Sequence, residues 1–319
     1  MRKSACLIAA ILCLAGATAS AADYPSRAIR VIVPYGAGQA TDVMCRVFVE
    51  QLKLVLKQAI IVENHVGAAT NIGTAVAVHA TPDGYTLLCT GNATTVANPL
   101  LYDQLGFDPD HDLLPISGIA STGYVLAVNN KLRGKSLGDI VAAGKKAPDP
   151  MLVGLASTTA AVIYGMFIEA SKLDLQRVPY TGGNMGLFPD LMRGQTDMVI
   201  EAMPSAISAV SSGQVTPIAI STPERSTLLP DVPTFREAGM DVTLVGWNAF
   251  YAPKGTSPEI IDILNRASVE ALKEPEVAAH LATVACVPMP TTPEQLTVMT
   301  REDRAKWAPM VKLLDLKAN

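Results

Sequence analysis

Short runs of β-branched and apolar residues alternate with longer stretches of helical periodicity along this chain, and this alternation restricts the possible folds more than any other feature. The run 29–33 is typical of a strand, and in the helical stretch 41–57 apolar residues recur every three or four positions. A strand at 60–62, a helix at 71–80 and a strand at 85–89 follow in the same order. Such an order is typical of α/β architecture with mainly parallel sheets.

The alternation starts afresh after residue 123, which suggests a second structural unit. The segments predicted in this half are strands at 124–128, 151–155, 175–178, 198–200 and 217–220, and helices at 136–146, 159–171, 184–193 and 205–212. A further apolar run, 244–252, precedes three helical segments at the end of the chain.

The N-terminus has the three regions of a secretory signal peptide in the order that export requires. Arg2 and Lys3 precede an apolar run at 4–16, and small residues follow at 17–22. We therefore predict that residues 1–22 are cleaved and that the mature protein works in the periplasm. No other stretch is apolar and long enough to suggest a membrane span. About 297 residues would remain after cleavage, which favours two domains.

The charge balance and the motifs exclude several classes of function. The chain has 25 basic and 29 acidic residues and no basic block, so nucleic acid is a poor partner. Its four histidines lack the spacing of metal ligands, and we expect neither a metal nor a cofactor. The sequence has no G-x-S-x-G, H-E-x-x-H or C-x-x-C motif. Nothing in it therefore predicts an enzyme.

Three cysteines remain in the predicted mature chain, Cys45, Cys89 and Cys286, each among apolar neighbours. An odd number cannot form a complete disulfide framework. We expect buried thiols, and one disulfide-bonded pair stays an open alternative.

Two glycine-bearing turns between a strand and a helix, 34–42 and 62–73, are the informative places for chemistry. Ligands of open parallel sheets bind beyond the carboxyl ends of the strands, where helix N-termini present unpaired N–H groups. Two such turns side by side would form an anion site. The loops at 35–41, 64–74, 90–95, 155–160 and 180–186 contain no Lys or Arg. We therefore expect a carboxylate, held by main-chain amides, hydroxyls, side-chain amides and water.

A Rossmann-like oxidoreductase is the alternative from a different class of function. Gly36-Ala37-Gly38 begins like the dinucleotide motif G-x-G-x-x-G, but Thr41 stands at the third glycine position. Glu63 ends the second strand, where an acid could bind a ribose. Export argues against this alternative, because nicotinamide cofactors are not expected outside the cytoplasm.

A series of motifs along the whole mature chain resembles one family, the exported solute-binding proteins of tripartite tricarboxylate transporters, also called Bug receptors. The motifs are the 34–42 turn, Val62-Glu63-Asn64 with Gly67-Ala68 and Asn71-Ile72-Gly73, Pro82-Asp83-Gly84-Tyr85, Val178-Pro179-Tyr180-Thr181-Gly182-Gly183, Leu229-Pro230-Asp231-Val232-Pro233-Thr234, and Ala252-Pro253-Lys254-Gly255-Thr256. Each motif is modest alone, but in this order they are specific.

The resemblance implies a two-domain periplasmic-binding-protein fold of type II, with two hinge strands and each domain a mainly parallel sheet flanked by helices. Domain 1 would comprise residues 23–122 and 248–319, domain 2 would comprise 123–247, and the ligand cleft would lie between them. The implied function is a monomeric, non-enzymatic receptor that captures a small organic acid and delivers it to the membrane subunits of such a transporter. A ligand sensor for a signalling partner is a related alternative.

The resemblance also implies which residues contact the ligand. In domain 1 they are Tyr35, Gly38, Ala40, Thr41, Gly67, Ala68, Asn71, Thr90 and Asn92, and in domain 2 they are Ser157, Thr158, Tyr180, Gly182, Gly183 and Glu201. The chain departs from the family at Gly38-Gln39 and Ala69-Thr70, where glycine pairs are usual. Glu201 stands where Asp is common, and we hypothesise that it repels a second carboxylate or pairs with a ligand amine.

Overall fold

The computed structural model describes residues 24–180 and 185–316, and within them the chain forms two sheets flanked by helices. The predicted signal peptide lies outside the described residues. The strands are β1 (Ile29–Val33), β2 (Ile60–Asn64), β3 (Thr86–Gly91), β4 (Leu113–Thr122), β5 (Tyr124–Val128), β6 (Met151–Leu155), β7 (Leu175–Pro179), β8 (Met198–Ala202), β9 (Thr216–Ile220), β10 (Gly246–Pro253) and β11 (Cys286–Pro288).

The helices connect these strands and cover both faces of each sheet. They are α1 (Ala40–Leu56), α2 (Asn71–Val78), α3 (Asn98–Leu101), α4 (Pro109–Asp112), α5 (Leu137–Gly144), α6 (Thr158–Ser171), α7 (Leu187–Arg193), α8 (Met203–Ser211), α9 (Pro258–Lys273), α10 (Pro275–Thr283) and α11 (Pro293–Leu313). A π-helical segment, Ala93–Ala97, precedes α3. No helix in the described part of the chain is long and apolar enough to cross a membrane.

Each sheet defines one lobe of the molecule. The first lobe has the strand order β11-β4-β10-β3-β1-β2, and the second has β7-β6-β8-β5-β9. The chain passes from the first sheet to the second at Gly123, between β4 and β5, and returns ahead of β10. Two lobes joined by crossing strands confirm the predicted two-domain periplasmic-binding-protein fold.

Most strands of each sheet run in the same direction, as predicted, and each sheet also contains antiparallel pairs. β1 pairs in parallel with β2 and β3, and β6 with β7 and β8. The strands near the crossings, β4, β5 and β10, form antiparallel pairs. A strand that arrives from the other lobe enters its sheet from the opposite end, so it runs against the strands of the β–α–β units.

The apolar core continues across the two lobes. One face of the first sheet packs on α1, α9 and α10 around Phe48 and Leu264, both fully buried. Its other face shares a core with Trp307 of α11 and Phe167 of α6. Because α11 packs on both β4 and α6, it belongs to neither lobe alone. The predicted domain limits therefore stay a prediction.

The three cysteines of the described chain, Cys45, Cys89 and Cys286, are buried free thiols. Burial raises the pKa of the Cys286 thiol to about 12, which keeps it protonated and unreactive at neutral pH.

Candidate functional site

A cleft of about 840 Å³ lies between the two lobes. It opens beyond the carboxyl ends of the parallel strands β1, β2, β6 and β7, which is where open α/β sheets bind ligands. The residues that line it are Pro34, Tyr35, Gly36, Gln39, Val66, Gly67, Ala69, Thr70, Ala93, Asn98, Leu101, Tyr102, Leu155, Ala156, Ser157, Thr158, Ala161, Arg177, Pro179, Tyr180 and Leu316.

In the turn after β1, side chains of the protein itself occupy two of the amides that were expected to hold an anion. The Gly36 amide donates to Oε1 of Gln39 at 3.0 Å, and the Gly38 amide donates to Oδ2 of Asp42 at 2.8 Å. This turn therefore offers fewer free amides to the cleft than the sequence predicted. Three predicted residues of the turn lie outside the cleft lining: Gly38, Ala40 and Thr41.

Asp42 joins the first two turns to each other. Its carboxylate is buried and also accepts hydrogen bonds from Nε of Arg46 (3.0 Å) and Nδ2 of Asn64 at the end of β2 (2.8 Å). Burial by itself would raise the pKa of Asp42, but the hydrogen bonds from these donors and the Gly38 amide outweigh it and lower the pKa. Gln39 is the N-cap of α1.

The turn after β2 has a left-handed backbone at three consecutive residues that carry side chains. The φ angles are 44° at Ala68, 48° at Ala69 and 80° at Thr70. The side-chain amide of Asn98 donates to the Ala69 carbonyl at 2.8 Å and to Oδ1 of Asn71 at 2.7 Å, which holds the turn in this shape. Of the predicted residues here, Gly67 lines the cleft, and two lie outside its lining: Ala68 and Asn71.

A chain of buried hydroxyls supports this turn from behind. Oγ1 of Thr70 lies 2.8 Å from Oγ1 of Thr94, which lies 2.6 Å from Oγ1 of Thr90. The Tyr35 hydroxyl interacts with Thr94 and Thr90, and burial raises the pKa of this hydroxyl. Thr90 and Asn92, both predicted as ligand contacts, are buried and outside the cleft lining. They support the wall of the cleft.

The second lobe contributes the start of α6 and the end of β7. Oγ of Ser157, the N-cap of α6, accepts a hydrogen bond from the Ala160 amide at 3.2 Å. Tyr180 donates its hydroxyl to Oδ2 of Asp190 at 2.7 Å, and burial together with this carboxylate raises its pKa to about 12. The structure brings three of the predicted residues of this lobe to the cleft: Ser157, Thr158 and Tyr180.

The other three predicted residues of this lobe do not form part of the described lining. Gly182 and Gly183 lie outside the described residues. Glu201 is buried on β8. Burial raises the pKa of the nearby Tyr124 hydroxyl, and the charge of Glu201 raises it further. A direct contact between Glu201 and a ligand stays a prediction.

Sequence reasoning missed a cationic side chain at this cleft. The loops contain no Lys or Arg, but strand β7 places Arg177 in the lining. Arg177 and Pro179 share one face of the strand, because side chains alternate along it. The signal was present, since Arg177 immediately precedes the Val178-Pro179-Tyr180 motif. The prediction of an anion site without a cationic side chain therefore overlooked this residue and stays a prediction.

Glu63, the acid on which the oxidoreductase alternative depended, forms an ion pair with Arg30. Glu63 accepts two hydrogen bonds from Arg30, at 2.8 and 2.7 Å, on the neighbouring strand β1. These bonds lower the pKa of Glu63 to about 2. Glu63 is outside the cleft lining, so this geometry gives no support to a ribose contact.

Metal chemistry has no visible basis at the cleft. Within residues 24–180 and 185–316, no three His, Cys, Asp or Glu side chains are grouped so that they could hold a metal ion. The lining offers hydroxyls, amides, apolar groups and one guanidinium, which suits reversible binding of an organic anion.

Comparison with known proteins identifies the family of this chain. Residues 44–316 match the family model described as "Tripartite tricarboxylate transporter family receptor". Protein BugT of Bordetella pertussis is 33% identical over 318 residues, which cover 98% of this chain and 97% of that protein.

Two solved structures from Rhodopseudomonas palustris are similar over nearly the whole fold. Rpa4515 with adipate has a TM-score of 0.83 at 25% identity, covering 91% of this chain and 98% of that one. MatC with bound malate has a TM-score of 0.77 at 28% identity, covering 90% of this chain and 100% of that one. The chain therefore belongs to the tripartite tricarboxylate transporter receptor family, a family of solute-binding receptors.

Proposed function

We propose that this protein is an exported receptor that captures a small organic acid between its lobes and delivers it to the membrane subunits of a tripartite tricarboxylate-type transporter. The observation that carries the proposal is the cleft, which both lobes line and whose described lining contains one charged residue, the cationic Arg177. The adipate and malate named for the two similar structures are acids of the same kind.

The acid group is held mainly by uncharged donors on both sides of the cleft. The first turn of α6 presents unpaired amides at Ser157 and Thr158, where the helix dipole favours an anion. Across from it lie the turn Gly67–Thr70 and the Gln39 side chain. Hydrogen bonds to a charged group contribute roughly 1.5–3 kcal/mol each, and micromolar binding corresponds to about 8 kcal/mol. A few such bonds with some apolar burial are therefore sufficient.

Transport follows from closure of the lobes. A ligand that contacts both lobes stabilises the closed form by its difference in affinity for the two forms. The membrane subunits then recognise the closed form. Because the ligand is carried and not converted, the proposal needs no catalytic group.

A ligand screen on the mature protein tests this proposal. We expect one or more acids among malate, adipate, citrate and aspartate to raise the melting temperature and to be recovered unchanged by NMR. The matching amides should have no effect. If no carboxylate changes the melting temperature at millimolar concentration, the proposal is wrong.

A blocked cleft provides the variant test. Thr158→Trp places a large side chain at the start of α6, inside the cleft, and should abolish binding of any acid found in the screen. Ala170→Trp, at the exposed opposite end of the same helix, is the matched control and should bind like the wild type. Equal binding by both variants would place the site elsewhere.

A further inference from the structure

Arg177 is a cationic residue of the cleft lining. Its residue is exposed on β7, the edge strand of the second sheet. Within the part of the chain that the structure describes, no carboxylate forms an ion pair with it. An arginine that lines a cleft without a protein partner is suited to bind an anionic ligand, since its planar guanidinium binds a carboxylate through two parallel hydrogen bonds.

Much of the cleft lining is apolar. Leu155 pairs with Pro179 across β6 and β7, and both line the cleft. Leu101, Tyr102 and Leu316 complete the lining with aliphatic and aromatic surface. A hydrocarbon segment of a ligand buried here gains roughly 25 cal/mol for each Å² removed from water. The lining therefore favours a ligand with a nonpolar middle.

The register of β7 separates Arg177 from the start of α6. Arg177 pairs with Val153 on β6, whereas Pro179 pairs with Leu155 at the end of that strand, two residues before the N-cap Ser157. Two residues of strand correspond to about 6.6 Å. A ligand with one acid group at the start of α6 therefore needs a second acid group farther along the cleft to bind Arg177.

We infer that Arg177 binds a second acid group of the ligand, so that the receptor prefers elongated dicarboxylates with a nonpolar spacer. This inference rests on the proposed function and specifies its substrate class. Short diacids such as malate would bind with one acid group only, and monocarboxylates would lack the contact altogether.

The test compares adipate with hexanoate, which has the same carbon chain and one acid group fewer, by isothermal titration calorimetry. In the wild type, adipate should bind about 10- to 100-fold more tightly, which is the effect of one or two charge-assisted hydrogen bonds. Arg177→Gln should lose this preference, because it should weaken adipate about 10- to 100-fold more than it weakens hexanoate. Because Arg177 is exposed, the substitution should not disturb folding.

Two further variants make the result specific. Lys146→Gln removes the same charge from an exposed position in the second lobe, outside the cleft, and should keep the preference for adipate. Arg177→Lys keeps the charge but loses the two-pronged geometry, and should restore part of the preference.

The outcomes separate the inference from the proposed function. If the wild type binds malate and not adipate, or if Arg177→Gln weakens adipate and hexanoate equally, the inference is overturned and the receptor function stands. If the wild type binds no carboxylate at all, both are overturned.

Discussion

At the scale of single residues, the turn at Ala68–Thr70 adopts a backbone conformation that has an energetic cost. A left-handed conformation costs a residue with a side chain roughly 1–2 kcal/mol, and three such residues follow one another here. The buried Asn98 amide and the threonine hydroxyls behind the turn offset this cost. The family's glycine pair at 69–70 would adopt the same backbone without strain.

Ala69→Gly should therefore stabilise the protein by about 1 kcal/mol, since φ 48° and ψ 50° suit glycine. Urea unfolding would measure the change. Ala170→Gly, at an exposed position in helix α6, is the control and should destabilise by about 1 kcal/mol, because glycine is a poor helix former. Destabilisation by both substitutions would show that the turn is not strained.

Residue types and their order predicted part of this site. Tyr35, Gly67, Ser157, Thr158 and Tyr180 were expected at the cleft and line it. Gly38, Thr90 and Asn92 were expected and do not, because internal hydrogen bonding or burial in the wall occupies them. Neither the internal hydrogen bonding nor the burial can be predicted from a motif, since both depend on contacts between different segments of the chain. Arg177 was not predicted, because cationic side chains were considered only in the loops and Arg177 lies in a strand.

At the scale of elements, the cluster around Asp42 fixes the turn after β1 to the end of β2. All three groups that face its carboxylate are donors: the Gly38 amide, Arg46 and Asn64. An asparagine at position 42 would offer these three donors only one acceptor oxygen, and its NH₂ group would face them as a further donor. The geometry of two cleft turns therefore depends on the charge of one side chain.

Asp42→Asn should lower the free energy of unfolding by roughly 2 kcal/mol at pH 7. The folded state lowers the pKa of Asp42, so its stabilisation is present above the unfolded pKa of about 3.9 and is lost as the pH falls through the folded value. The difference between wild type and variant should therefore shrink below about pH 4. Urea unfolding across pH measures it.

Asp262→Asn is the matched control, because Asp262 pairs with Arg266 four residues later on α9, just as Asp42 pairs with Arg46. Asp262 is exposed, so its loss should cost less than about 0.5 kcal/mol. A difference for Asp42→Asn that does not change with pH would contradict an ionic role.

Hydrophobic periodicity did not predict strands β4 and β11, because their sequences lack the alternating pattern of a strand. β4 contains Pro115 and Gly118, and its pairing with β10 shifts register in two places. Gly118 is required there, because an added Cβ would lie 2.4 Å from the Met289 carbonyl. β11 has only three residues. The β–α–β units, by contrast, are local in sequence and were predicted closely.

At the scale of the whole molecule, the two lobes are connected by crossing strands and by α11. Gly123 sits at one crossing, where an added Cβ would lie 2.6 Å from Cγ2 of Thr222. A second cavity of about 560 Å³, lined from both lobes, lies beside this crossing. Helix α11 meanwhile extends from β4 to α6 and joins the two cores. Such long-range packing could not be predicted from helical periodicity alone.

Because one core runs through both lobes, we expect them to unfold as one cooperative unit, with a single calorimetric transition. Met310 of α11 is buried in that core beside Gly165 of α6. Met310→Ala should cost about 2 kcal/mol, lower the melting temperature by about 4 °C and leave a single transition. Leu313→Ala, on the same helix but 50% exposed, should change the melting temperature by less than half as much. Two resolved transitions in the wild type would mean that the lobes fold independently and that α11 does not couple them.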